Sequence, residues 1–484
     1  MFLERPSYEQ LAELVVEQAA TIRRLDARVS ELEGEVAELK RRLNANSRNS
    51  SRPPSSDGLS KPPAKKSLRR PSGRKPGGQP GHGGGTLAAV ADPDKVVRHS
   101  PVCCSGCGAG LEDAPVEGCE HRQLFELPEI RLRVTEHVAE ARRCGCGQLT
   151  RADFPAGVSA PTQYGPRVRA LALYLIARQH LPYGRTAMLF ADWLGAPIST
   201  GTLASIVANA AGGLEGFLDE VHRQIVAAPV AHFDETGARV EGRLRWLFSS
   251  STDQLTLFSL HDKRGFDGLD HAGVLPAFAG IAVHDGFKPY RRYTNAQHAL
   301  CNVHHLRELL GVIEPDPADP KIAWAVRMDR FLRDLQTAVA DAKATGRERL
   351  HHDELAFYRA DYAQIIADGN RLDPPGTTPT GKRGIIRQTP ARCLLTRLDH
   401  YREDILRFAD DFRVPFDNNL AERDIRMVKL QQKISGSWRT SAGANHFLAL
   451  RAYLSTAHKQ GRHTIDTLTR LATADPWIPQ AASP

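Results

Sequence analysis

Ala231-His232-Phe233-Asp234-Glu235-Thr236-Gly237 closes a short, mostly apolar segment that begins at Ala227 and runs into two adjacent acids. The pattern predicts a buried strand over 229–233 that delivers Asp234 to its own end, where the backbone turns away. A carboxylate placed this way suits a hard divalent cation, which prefers oxygen ligands. Turn chemistry is the plainer alternative, because Asp-Glu-Thr-Gly is also a sequence that hairpins use.

Downstream, 244–251 and 255–261 read as two further strands, and 280–284 as a fourth that ends at Asp285-Gly286. Asp-Gly is again a common turn pair. Residues 296–311 read as helix, and 316–413 as a mostly helical, charged region broken by a loop at 373–383. The segment 414–419 leads into a helix over about 420–433 that carries Glu422, which also fits the N3 place of a capping box begun by Asn419. A last helix is expected at about 444–459, followed by a polar tail.

Two strand-end carboxylates and one helix carboxylate, Asp234, Asp285 and Glu422, are the ligand arrangement of an RNase H-like nuclease centre. There, two Mg²⁺ ions about 4 Å apart clamp an in-line phosphoryl transfer. Mg²⁺ (or Mn²⁺) keeps several waters, so a few carboxylates suffice. Glu235 is expected to support its neighbours rather than to hold the metal. Arg423, Arg426, Lys429, Lys433 and Arg439 are placed to meet DNA phosphates, the alternative being a solvated helix face. Trp438 is expected to pack rather than to stack on a base. Cys301, His304 and His305 fall within about one helical turn. A packed helix face is the expectation there, with a second metal site as the alternative.

Upstream, 167–178 is amphipathic, and 185–194, Gly195 to Ser199 and 200–210 have the outline of a helix-turn-helix. A packed helical hairpin explains the same outline, since the second helix carries no Arg or Lys. Six of the eight cysteines lie between 103 and 146. Cys104 and Cys107 form a CxxCG turn, and Cys144 and Cys146 a tighter CxCG turn, with strands expected over 125–141. Four thiolates from two turns make a tetrahedral structural Zn²⁺ site, and the glycine after each pair permits the turn. Cys103 is an alternative to Cys104, and unliganded cysteines are the alternative to a metal site.

Residues 44–85 are rich in Ser, Pro, Gly, Lys and Arg and predict a disordered linker. Between 44 and 90 there are nine Lys/Arg, among them Lys65, Lys66, Arg69 and Arg70, against one acid, which accounts for the whole net charge of +8. Such a concentrated basic arm suits a polyanion, DNA or RNA before membrane. Residues 8–43 carry heptads with Val15, Ile22, Val29 and Val36 at a and Leu11, Leu25, Leu32 and Leu39 at d, Gln18 being the polar d. β-branched a with Leu at d favours a parallel two-stranded coil, hence a homodimer. Arg28 to Glu33 and Glu35 to Lys40 supply matching flanking charges.

With 41% hydrophobic and 25% charged residues the composition is that of a soluble protein, long enough at 484 residues for several domains. The longest apolar run, 170–177, is far too short to span a bilayer, and the first residues carry no signal peptide, so a cytoplasmic location is expected.

The segments HFDETG (232–237), HDGFKPY (284–290), VPFDNNLAERDIRMVKLQQKISGSWRTSAGA (414–444) and YLSTAHKQG (453–461) resemble the catalytic signatures of the insertion sequence 66 family of bacterial DDE transposases. The CxxCG and CxCG turns resemble that family's zinc-finger domain, NSRNSSRPPSSDG (46–58) and GRKPGGQPGHGG (73–84) its linker, and the heptads its coil. Its Cys-x-x-His segment is similar to the one at Cys301. The resemblance implies Asp234, Asp285 and Glu422 as the catalytic triad, nicking at the terminal inverted repeats, strand transfer into target DNA, and accessory proteins from the same element. The expected architecture is a multidomain α/β chain: coiled coil 1–43, basic linker 44–95, zinc finger 96–155, helical domain 160–225, RNase H-like catalytic core 226–460 with a helical insertion at about 316–413, and tail 461–484. Two other readings share these residues, a zinc-containing DNA-binding protein with inert acids and a two-metal nuclease without strand transfer.

Overall fold

The computed structural model describes residues 8–44, 85, 87–376 and 388–480. Lys65, Lys66, Arg69 and Arg70 lie outside the described residues. Among the described residues no helix is long and apolar enough to cross a membrane.

The chain opens with one helix, α1 (Tyr8–Asn44). Its 37 residues span about 55 Å at 1.5 Å per residue. The stripe formed by Val15, Ile22, Leu25, Val29, Leu32, Val36 and Leu39 is exposed along its length.

Between 87 and 165 the chain makes two cysteine turns and little else. In the first, the Cys104 N–H donates to Ala109 O at 2.8 Å and the Gly108 N–H to Cys104 O at 2.9 Å. In the second, the Cys144 N–H donates to Gln148 O and the Gly147 N–H to Cys144 O, both at 2.9 Å. The second turn is the tip of a hairpin of β1 (Ala141–Arg143) and β2 (Leu149–Arg151). The strands expected over 125–141 do not form before Ala141. Leu124, Leu127, Val134 and Val138 are exposed, with no opposing layer on which a sheet face could be buried.

The helical region begins with α2 (Pro166–Leu173), which continues as one π-helical turn through Arg178, followed by α3 (Tyr183–Leu194), α4 (Thr200–Gly212) and α5 (Glu215–Val226). Gly195, with φ +59°, ends α3 in the left-handed conformation that glycine adopts without strain, and Ser199 caps α4 by accepting the Thr202 N–H at 3.0 Å. Leu203, Ile206, Val207, Ala210 and Ala211 bury α4 in a core that also holds Phe233 and Tyr453. The expected helix-turn-helix outline forms as two helices joined at Gly195, the second with its apolar face turned inward.

A five-stranded mixed sheet follows. β3 (Val230–Val240), β4 (Arg243–Ser251) and β5 (Thr256–His261) form an antiparallel meander. The short helices α6 (Phe266–Ala272) and α7 (Val274–Ala277) then lead to β6 (Ile281–His284) and β7 (Gln297–Leu300), which run parallel to β3. The order across the sheet is β5-β4-β3-β6-β7. All four residues of β6 are buried, as befits a strand covered on both faces.

Two expectations change here. β3 does not stop at Asp234; it continues through Asp-Glu-Thr-Gly to Val240, held by pairing with β4 as far as Val240↔Arg243. The turn falls at Glu241 and Gly242, whose φ values of +55° and +72° have the sign that a tight type I′ hairpin requires. Residues 297–300 are strand rather than helix, because pairing with β6 gives them a buried ladder that local propensity does not reveal.

Helix α8 (Asn302–Ile313) begins directly after β7, with Cys301 as its N-cap. α9 (Ala323–Ala344), α10 (His352–Leu372), α11 (Pro390–His400) and α12 (Arg402–Asp410) form the expected helical insertion. Trp324, Leu332, Tyr362 and Leu395 pack in a core shared with Val283 and Ala299 of the sheet. The chain returns at the place it left: the Asn302 N–H donates to Phe416 O at 3.0 Å, and the Asn418 N–H to Cys301 Sγ at 3.2 Å. Then α13 (Asn419–Ser435) and α14 (Ser441–Lys459) cover β3, β4 and β5 through Ile425, Val428, Phe447 and Leu448.

The stretch after 460 is not a polar tail. It forms α15 (Thr464–Ala472), and Leu468, Leu471 and Trp477 are buried in the same core as Leu173 and Phe217. One hydrophobic core thus joins α2–α5, one face of the sheet, α14 and α15.

Candidate functional site

Strand periodicity sorts the acids. Successive side chains point to opposite faces of a sheet. Ala231 and Phe233 belong to the core shared with α2–α5, so Glu235 follows them to that face. Asp234 shares the other face with Ala238, which packs against Ile425 and Val428 of α13. β6 runs parallel to β3 in the register Val230↔Ile281 to His232↔Val283. Extending that register by two residues sets Asp285 beside Asp234, on the same face. Both lie just past the last paired residues of β3 and β6, where the parallel ladder ends.

The electrostatics follow from this grouping. Burial raises the Asp234 carboxyl well above the usual range, and the negative charges of Asp285, Glu235 and Glu422 raise it further; the Glu235 N–H, 2.9 Å from Oδ1, lowers it. The carboxylates thus crowd a buried position, and among the described residues no cationic side chain is a main influence on Asp234. Glu422 Oε1 is buried without a hydrogen-bond partner. It caps nothing: the N-cap is Asn418, and no side-chain cap bond is made at this helix end.

Asp285 opens a turn in which its Oδ1 accepts the Phe287 N–H at 2.8 Å and Gly286 adopts φ +92°. The turn and the acidic site are therefore one feature. His284, before it, accepts the Gly286 N–H at 3.0 Å on Nδ1 and meets His298 Nδ1 at 3.1 Å with Nε2. Burial holds it neutral, well below the ordinary histidine range, and its ring stacks on Tyr290 at 4.6 Å.

Glu235 has its own partners. Arg264 Nη2 donates to its Oε1 at 2.7 Å and the Tyr290 hydroxyl to its Oε2 at 2.5 Å. Burial, then Asp285, pushes the carboxyl up to about 7 against these bonds. The Arg264 guanidinium lies over Phe287 at 4.1 Å.

Sequence reasoning passed over two residues. Asn418, 1% exposed, donates through Nδ2 to Phe233 O at 2.8 Å, and its Oδ1 meets His232 Nδ1 at 2.8 Å. It ties the start of α13 to the backbone immediately before Asp234. Asp424 is the hub of a buried network, accepting from Ser251 at 2.8 Å, Thr256 at 3.0 Å, Ser455 at 3.0 Å and Lys459 at 2.8 Å. The Asn-Asn-x-x-Glu spacing carries a signal for Asn418; nothing local marks Asp424.

Cys301 Sγ, His304 and Glu422 have ligand atoms that all lie within 4.8 Å of one another. His305 is not part of that group. It is buried, bonded to Asn302 Oδ1 at 3.1 Å through Nδ1, and burial lowers its pKa to about 3. Because Cys301 is the N-cap of α8 and His305 turns to Asn302, the three residues Cys301, His304 and His305 do not share one helix face as expected.

Arg423, Arg426, Lys433 and Arg439 are exposed on or just after α13. Lys429 is not: its ammonium is half-buried and donates to Gly237 O, so it holds α13 to β3 instead of facing solvent. Trp438 packs against Phe447 at 5.6 Å, as expected. In the two cysteine turns, backbone N–H groups of Cys107 and Gly106 lower the Cys104 thiol, and that of Cys146 lowers Cys144. Each turn brings its own pair together; among the described residues Cys104, Cys107, Cys144 and Cys146 do not gather as one group.

Residues 161–446, well over half of the chain, match the family model described as Transposase IS66 family. Residues 3–88 match a second model, described as a family of unknown function. No curated protein matches the chain.

Proposed function

The chain belongs to the IS66 family of transposases, and we propose that it cuts DNA at the ends of its element and joins them to target DNA at a centre formed by Asp234, Asp285 and Glu422. The observation that carries this reading is the placement of Asp234 and Asp285 side by side on one sheet face, with Glu422 crowding Asp234 from α13. The order β5-β4-β3-β6-β7, an antiparallel meander followed by two parallel strands, supports an RNase H-like core.

The donor set fits Mg²⁺ or Mn²⁺. It is all oxygen, it is short of positive charge, and Glu422 offers a carboxylate oxygen that no protein group engages. Such an ion supplies Lewis acidity to a phosphoryl oxygen and acidifies a bound water. The chain's own residues do the positioning. Two rigid strands fix the aspartates, and the Glu235 N–H orients Asp234. Asn418 sets α13, and so Glu422, against Phe233. Arg264 and Tyr290 hold Glu235 away from the acid cluster on the opposite face. Arg423, Arg426, Lys433 and Arg439 present charge to the DNA backbone beside the centre.

Around this core, α1 pairs two protomers through its apolar stripe, the basic arm carrying Lys65, Lys66, Arg69 and Arg70 follows phosphates, and the two cysteine turns close on a structural Zn²⁺. DNA as substrate places the protein in the bacterial cytoplasm, on the nucleoid. The test is strand transfer with the purified chain, an end-containing DNA and Mg²⁺. Wild type is expected to join strands and Asp285→Ala to lose joining by at least a hundredfold while still binding DNA. Full joining by Asp285→Ala would remove the triad from the reaction.

A further inference from the structure

Cys301 caps α8 and His304 lies in its first turn, and Glu422 arrives from α13 across the junction at Asn418. His304 Nε2 stands 3.9 Å from Glu422 Oε1. That is too far for a hydrogen bond. It is close to the spacing of two donors on one ion: ligands at about 2.0–2.1 Å and the tetrahedral angle stand about 3.4 Å apart. A side-chain shift of a few tenths of an ångström closes the difference.

The shared carboxylate oxygen is also uncommitted. Glu422 Oε1 is buried and has no hydrogen-bond partner, whereas Asp424, two residues further along α13, is satisfied by four donors. Buried polar atoms in this condition are uncommon and call for a partner. Cys301 Sγ is buried and receives the Asn418 N–H at 3.2 Å, a bond of the kind that steadies a ligating thiolate. A sulfur, a nitrogen and an oxygen form a set that Mg²⁺ does not favour and that Zn²⁺ or Co²⁺ does.

We propose that Cys301, His304 and Glu422 form a binding site for a borderline-soft divalent cation, Zn²⁺ foremost, beside the Asp234–Asp285 pair and sharing Glu422 with it. The fourth position is left to water. When the ion binds, the Cys301 thiol gives up its proton to solvent. Glu422 then serves either the sulfur-containing site or the all-oxygen one, so Zn²⁺ opposes Mg²⁺ there. Only this last consequence rests on the catalytic reading of Asp234, Asp285 and Glu422.

Co²⁺ titration of the full chain, read by its thiolate-to-cobalt charge-transfer band and by metal analysis, tests the site. Cysteines elsewhere also give a signal, so the measure is a difference between variants. Cys301→Ser, His304→Ala and Glu422→Gln are each expected to bind one equivalent less than wild type, Cys301→Ser with a weaker band, while Asp234→Asn and Cys104→Ser/Cys144→Ser retain that equivalent. Far-ultraviolet circular dichroism checks that each variant is folded, and the half-buried His304→Ala is the mildest packing change of the three. Wild-type stoichiometry and band in all three folded variants would overturn the proposal. Strand transfer separates the two readings: loss of joining in Asp285→Ala together with wild-type cobalt binding in the Cys301, His304 and Glu422 variants removes this site and keeps the catalytic centre, and full joining by Asp285→Ala with the lost equivalent in those three variants does the opposite.

Discussion

Asp234 and Glu235 are neighbours in the chain and face opposite sides of one strand. Glu235 is locked by Arg264 and Tyr290, whereas Asp234 meets only more negative charge. Both carboxyls are raised by folding, Glu235 to about 7 from 4.5. A carboxyl with a raised folded-state pKa keeps its proton when folded and loses it when unfolded, so folding takes up protons through that window. In chelator, stability is therefore expected to fall as pH rises from about 4.5 to about 7, and Glu235→Gln to flatten the curve over that range. Thermal melts at a series of pH values decide it; equal slopes in both proteins would remove Glu235 as the cause. Asn418 carries a different prediction. Asn418→Ala leaves the buried carbonyl acceptor of Phe233 and the buried Nδ1–H donor of His232 without a partner, at about 2 kcal/mol. Cleavage is expected to drop more than tenfold even where urea titration shows the variant fully folded. Asp234 was legible in sequence as an acid after an apolar run. Its separation from Glu235 was not, because that depends on the strand running on to Val240 in register with β4.

Among the elements, α1 has an apolar stripe that stays exposed among the described residues, and the two cysteine turns each gather only their own pair. The heptad stripe was read directly from spacing, and the helix extends from Tyr8 to Asn44 as that spacing requires. Leu25→Pro removes a backbone donor and clashes in the helix interior, so wild type is expected to sediment as a dimer and the variant as a monomer. A dimeric variant would place the interface elsewhere. For the cysteine turns, Cys104→Ser combined with Cys144→Ser is expected to lose one zinc per chain by metal analysis, and an unchanged content would sink the structural Zn²⁺ site. β7 reads as helix because Gln297–Leu300 is too short to declare a period of two and runs almost directly into α8, and only the parallel partner β6 decides. α15 escaped notice because a nine-residue amphipathic segment near the end of a chain has too few turns to declare its period.

In the whole molecule, one core binds the helices before the sheet to the helix after it. Phe217 of α5 meets Tyr453 of α14 edge-on at 4.9 Å and Trp477 at 6.3 Å. A chain stopped after residue 460 loses Leu468, Leu471 and Trp477 from that core, several kcal/mol of burial at about 2 kcal/mol for each large side chain. It is expected to aggregate, or to melt well below the full chain by calorimetry; a truncated protein with an unchanged melting temperature would show that α15 is dispensable. The expected boundary between a helical domain at 160–225 and a catalytic domain followed by a tail follows composition. The hydrophobic core does not, because packing joins segments some 300 residues apart in sequence.

The helical insertion leaves after Cys301 and returns at Phe416, and the two ends are joined by backbone hydrogen bonding at 3.0 Å. Between those points the chain makes an excursion of more than a hundred residues and comes back to the sheet without displacing it. Such geometry makes the excursion a replaceable cassette. Lengthening or shortening it changes the loop-closure cost by only about 0.6 kcal/mol per doubling. What any substitute must supply is a cover for Val283 and Ala299. A lineage could therefore exchange this module for another without moving Glu422 relative to the aspartates, and a protein engineer could dock a foreign domain at the same two ends.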